Sequence, residues 1–200
     1  MAMVIPCYDG RVADPVVEET VRRLVAEGAH DQAATILIRG YGRRILGYLR
    51  GVLRDEALAG DAFSQFGENV WRGIANFRGD ASALSWAYTV AWSAVCRVVD
   101  SGYQRRRGRL ETTHAERLVE EIQSSTRPYQ RTEIKDAVTQ LRERLAADEQ
   151  TLLFLRVDQD LPWGEVAKVM NADPATLRKR FERVKDKLRA FAEEAGLLGD

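Results

Sequence analysis

The sequence predicts an all-α protein built as two helical domains joined by a polar linker. Three observations carry that reading. Apolar residues recur at helical spacing along nearly the whole chain, strand-like alternation bounded by turn residues is hard to find, and proline is scarce, at five in 200 residues. The domains fall at 16–109 and 132–196, with the linker at 110–131.

Residues 16–26 make a first amphipathic segment, and Gly28 follows it as a C-terminal stop. Residues 31–53 form a longer helix with Leu37, Tyr41, Ile45, Tyr48 and Val52 on its apolar side. A third helix runs from about 56 to 74. Residues 77–82 read as a turn, with Asp80 or Ser82 capping the helix that carries Trp86 and Trp92. The most apolar stretch, 84–99, is too short for a comfortable membrane span and is interrupted by Ser85, Thr89, Ser93 and Arg97, so it reads as a buried helix. Within it Trp86 shares a stripe with Val90 and belongs to the core, whereas Trp92 points elsewhere.

Residues 111–131 are polar and include Ser124, Ser125, Thr126, Arg127 and Pro128, which suits a linker with at most partial helix. Beyond it come a helix over 134–145 and one capped by Asp148 that runs through Leu155. The last two helices form a helix-turn-helix. Asp173 can accept hydrogen bonds from the free N–H groups of the following helix, and Pro174 at its first position loses only an N–H that would be unpaired. Leu177, Phe181, Val184 and Leu188 then recur at spacings of four, three and four, a single buried stripe. The remaining face presents Thr176, Arg178, Lys179, Arg180 and Arg183, residues suited to phosphates and base edges.

The formal net charge is zero, so any nucleic-acid binding must come from local clusters rather than from a generally basic surface. Such clusters exist. Residues 97–109 hold five Arg against Asp100, and 178–189 hold seven basic residues against Glu182 and Asp186. Arg105, Arg106 and Arg107, close to Trp92 in sequence, combine phosphate contacts with a stacking surface, as single-stranded DNA requires. Cys7 and Cys96 stand far apart without CxxC or His-rich surroundings, so no disulfide framework or zinc site is expected, and two free thiols suit a reducing cytoplasm. The start of the chain lacks the pattern of a secretory signal. No Gly-rich phosphate loop, paired metal ligands or nucleophile with a base partner appears, which argues against an enzyme and against a cofactor.

This order of elements resembles the extracytoplasmic-function sigma factors of the sigma-70 superfamily. Residues 26–50, with Tyr41, Gly42, Arg43 and Arg44, resemble the opening helices of region 2. The run Phe77, Arg78, Gly79, Asp80, Ala81, Ser82, then Ser85 and Trp86, resembles the turn and Trp that begin its promoter-facing helix. Residues 161–188 resemble region 4. The resemblance implies a protein that binds core RNA polymerase, opens the minus-ten promoter element through region 2 and reads the minus-thirty-five element through region 4. It also implies an anti-sigma partner and leaves catalysis to the polymerase. The clamp-binding stretch would fall on residues 61–66, with Asp61, Ser64 and Gln65 as the contacts, although Ser64-Gln65 replaces the family's Gln-Glu pair. Asn171 replaces the common turn Gly and tolerates the left-handed conformation. Two other readings stand beside this one: a sigma-like DNA-binding regulator without productive polymerase binding, and a helical protein-interaction module.

Overall fold

A computed structural model describes residues 13–100, 113–125 and 140–196, and every regular element among them is helical. Helix α1 (Pro15–Ala26) starts where Asp14 Oδ1 accepts the Val16 N–H at 2.9 Å and stops before Gly28, whose φ of +74° suits glycine. Helix α2 (His30–Leu53) ends as Arg54 turns left-handed. Helix α3 (Glu56–Gly73) is capped by Asp55, which accepts the Leu58 N–H at 2.9 Å, and tightens into a short 3-10 turn at Ile74–Asn76. Helix α4 (Ala83–Asp100) begins with Ser82 Oγ accepting the Ser85 N–H at 3.0 Å, so Ser82 is the cap foreseen for it. These four helices enclose a core that includes Leu37, Ile45, Phe63, Phe66 and Tyr88.

The stretch expected as a linker over 110–131 departs from that description. Helix α5 (Thr113–Ser125) docks on α2 and α3 through buried Leu118, Val119 and Ile122. Its seat is made by two glycines. A Cβ on Gly42 would lie 2.6 Å from Ile122 Cδ1, and one on Gly67 would lie 2.7 Å from Val119 Cγ2. Packing, not propensity, therefore holds this polar helix in place.

Residues 140–143 are helical, and the rest of the helix expected over 134–145 lies outside the described residues. Helix α6 (Ala147–Leu153) starts at Ala146, whose N–H donates to Glu149 Oε2 at 3.2 Å, so Ala146 rather than Asp148 is the capping position. Its continuation, Phe154–Asp158, widens into a π turn. The helix-turn-helix follows as α7 (Trp163–Met170) and α8 (Pro174–Glu194). Asn171 between them is left-handed, with φ 49° and ψ 52°.

One apolar cluster runs from Val21 in α1 through the first four helices to Leu152, Leu155, Val166 and Leu177. A smaller cluster of Leu145, Leu153 and Val184, joined by Phe181 and Leu188, stabilises the end of the chain. Helix α7 lies against α4, and α6 against α2.

Candidate nucleic-acid interface

Helix α8 divides its residues as its sequence foretells. Leu177 and Val184 are buried, Phe181 and Leu188 are half-buried, and Thr176, Arg178, Lys179 and Arg183 are exposed. Asp173 Oδ2 accepts the Thr176 N–H at 2.9 Å, and that bond holds its carboxyl below the usual carboxylate range. Trp163 at the head of α7 packs edge-on against Phe181, with ring centroids 5.5 Å apart.

The basic residues of α8 do not share one role. Arg180 pairs with Asp148, which ties α8 to α6. Arg178 lies over the Trp163 ring, 5.7 Å from its centroid. Lys179 and Arg183 stand exposed, with no ion pair among the described residues. Lys187 pairs with Glu149 at 2.5 Å. Burial pushes the Glu149 carboxyl up, but the Lys187 ammonium, the Ala146 N–H and the Arg180 charge outweigh it and leave it below its ordinary value.

On α4, Trp86 is half-buried; it packs against Phe77 at 5.7 Å between centroids and lies close to Gly73. Trp92 is half-buried, with part of its ring against the main cluster and part open. Arg105, Arg106 and Arg107 lie outside the described residues.

The start of α4 is fixed by a residue that the sequence reading passed over. Glu18 of α1 is only 8% exposed, and its carboxylate accepts the N–H groups of Ala83 at 2.7 Å and Leu84 at 3.0 Å and the Tyr41 hydroxyl at 2.8 Å. Together with Ser82 it satisfies three of the N–H groups that a helix start leaves unpaired. Burial, then the bond to Glu18, raises the Tyr41 phenol above its ordinary value. The signal was present in the sequence: Glu18 shares the apolar stripe of Val21 and Leu24, a carboxylate where a hydrocarbon is expected.

On α3, Asp61 is exposed, and Gln65 one turn later reaches Glu68 at 3.2 Å and Asn69 at 3.1 Å. Ser64 sits on a different stripe. It donates to the Gly60 carbonyl at 3.1 Å, an oxygen that also accepts from Gln123 of α5 at 3.1 Å. Asp61 is exposed, and Ser64 and Gln65 are both half-buried, all three within one turn of α3. Among the described residues no cluster of His, Cys, Asp or Glu could hold a metal ion, and no helix is long and apolar enough to cross a membrane.

Residues 37–109 match the Sigma-70 region 2 family, a span that takes in most of α2 and all of α3 and α4. The RNA polymerase sigma-H factor of Pseudomonas aeruginosa is 28% identical over 161 residues, covering 78% of this chain and 83% of the relative. The structure of CnrH in complex with the cytosolic domain of CnrY shares the fold, with a TM-score of 0.59 at 15% identity over 89% of this chain and 98% of that one.

Proposed function

We infer that this chain, which belongs to the sigma-70 family as an extracytoplasmic-function member, is a sigma factor that binds core RNA polymerase and directs promoter-specific initiation. The observation that carries this reading is the region 2 match over 37–109, followed in the same chain by a capped helix-turn-helix with an exposed basic face. Neither feature alone specifies initiation. A helix-turn-helix by itself is shared by many DNA-binding proteins, whereas region 2 ahead of it supplies a second DNA contact and a polymerase contact.

In this reading α8 enters the major groove of the minus-thirty-five element. Thr176, Lys179 and Arg183 meet the DNA, Arg178 serves at its edge, and Arg180 divides its charge between phosphate and Asp148. Trp92 stacks on an unpaired minus-ten base, with Arg105, Arg106 and Arg107 on the backbone of the separated strand. Asp61 and Gln65 meet the polymerase clamp, with Ser64 at the margin. The domains are 16–109 and 132–196, α5 belongs structurally with the first, and the protein works in the cytoplasm without catalysis of its own. CnrH was solved with the cytosolic domain of another protein, which supports an anti-sigma partner for this chain.

The test is run-off transcription with purified core polymerase across a promoter library. Specific transcripts that depend on this protein are the expected result. DNA binding without co-purification of core polymerase would favour the sigma-like regulator.

A further inference from the structure

Two guanidinium groups meet one indole at the head of α7. Arg178 of α8 lies 5.7 Å from the Trp163 ring centroid, and Arg156, in the π turn ahead of α7, lies 5.6 Å from it. Their charges are handled differently. Arg156 donates to Asp160 Oδ1 at 2.7 Å and to the Leu161 carbonyl at 3.3 Å, so its charge is met and its donors are engaged. Arg178 makes no ion pair or side-chain hydrogen bond among the described residues, and its guanidinium rests on Trp163.

The kind of partner decides what a basic side chain has left for DNA. Arg180 and Lys187 spend N–H donors on Asp148 and Glu149. A ring face attracts a guanidinium through its quadrupole and takes none of the in-plane N–H groups, so Arg178 keeps its whole fork of donors for a phosphate or a base edge while its long side chain is held. The ring is itself fixed. Its contact with Phe181, 5.5 Å between centroids at 78°, ties it to the stripe that α8 buries, and Trp163 packs on the main apolar cluster.

We propose that Trp163 is a positioning residue of the DNA-reading face, whose indole sets the Arg178 guanidinium in place before DNA arrives. The proposal rests on the reading of α8 as the minus-thirty-five contact. Trp163 acts through its neighbour. An Arg already held against a ring loses less side-chain freedom on binding than one free in solvent, so the indole adds to affinity through a contact that Arg178 makes.

The test is a double-substitution cycle in the full chain, mixed with core polymerase, on a duplex that the same mixture selects from a random pool. Arg178→Ala should weaken binding about tenfold in the parent and two- to fivefold in a Trp163→Leu background, the difference being the size of one exposed cation–π contact. Trp163→Tyr keeps a ring and should stay within about twofold of the parent. Equal losses from Arg178→Ala in both backgrounds, on protein shown to be folded by circular dichroism, would make Trp163 a packing residue and overturn the proposal. Fluorinated tryptophans placed at 163 alone keep the shape of the ring while draining its negative face, so this arm holds even if the Leu variant loses its fold. Binding should weaken with each added fluorine, and a flat response would overturn the proposal. In the free chain without DNA, the Arg178 Nε–H proton resonance should be displaced by the ring. A resonance at the random-coil position would overturn the held Arg178 without reference to DNA. A displaced resonance in a parent that selects no sequence would instead overturn the DNA reading of α8, and with it the role given to Trp163.

Discussion

Glu18 and Ala83 are 65 positions apart in sequence and 2.7 Å apart in space, carboxylate to backbone N–H. The first helix of the chain thereby sets where α4 begins. Glu18→Ala leaves the N–H groups of Ala83 and Leu84 and the Tyr41 hydroxyl without their buried acceptor, and a destabilisation of about 2–4 kcal/mol is expected. Glu18→Gln keeps one acceptor oxygen but turns a donor toward these donors, so it should fall between the two. Urea unfolding of the three proteins checks the order.

Lys179→Ala and Arg183→Ala should leave stability within about 0.5 kcal/mol of the parent, because both side chains are exposed. If either touches phosphate alone, its variant should bind every sequence more weakly and lower the salt slope by about one unit. If it reads a base edge, discrimination at one promoter position should relax by about 1–3 kcal/mol. Salt titrations on matched and scrambled minus-thirty-five duplexes separate these outcomes, and unchanged titrations for both would remove α8 from the DNA.

Trp92→Ala should reduce open-complex formation per folded molecule about 5- to 150-fold, the equivalent of a stacking contact worth roughly 1–3 kcal/mol. Part of its ring also rests on the core, so a loss of about 2 kcal/mol of stability is expected alongside. Permanganate reactivity of unpaired thymines, normalised to folded protein, reads the first effect independently of the second. Normal opening would make Trp92 a packing residue only.

Asp61→Arg reverses the charge of an exposed side chain on α3 and should weaken association with core polymerase while the melting temperature stays within a few degrees. Gln65→Ala, on the same face, should weaken it less. A folded Asp61→Arg protein that competes undiminished for core polymerase would move the clamp contact elsewhere.

Acid should act on the helix-turn-helix and its support through Asp173 and Glu149. Both carboxyls are held below their ordinary values of 3.8 and 4.5 in the folded chain. A depressed folded value stabilises the fold fully above the unfolded value and loses that contribution as pH falls through the folded one. Stability should therefore decline as pH falls through the ordinary carboxylate range. Asp173→Asn should be less stable than the parent at pH 7, and the gap should narrow as Asp173 is protonated. Urea midpoints measured between pH 3 and pH 7 test both statements.

Much of α8 was legible in the sequence because its signals are local. Asp173 and Pro174 mark its start, and the stripe from Leu177 to Leu188 fixes its buried side without reference to the rest of the chain. Asn171 as the left-handed joint was legible for the same reason. What escaped depends on partners far along the chain. Helix α5 has three buried apolar positions in a polar stretch, and its seat depends on Gly42 and Gly67, dozens of positions earlier. The pairing of Arg180 with Asp148, 32 residues earlier, is likewise invisible in the helical pattern of α8.

The apolar cluster that runs unbroken from Val21 to Leu177 also governs how the molecule comes apart. Two bodies that share a hydrophobic interior melt together, since loosening either one wets the surface that the other relies on. The free chain should absorb heat in a single calorimetric peak whose van't Hoff and calorimetric enthalpies agree. A lesion in either half, such as Leu37→Ala or Leu155→Ala, should then shift that one peak rather than split it, so damage far from the DNA-reading helix is felt throughout the molecule.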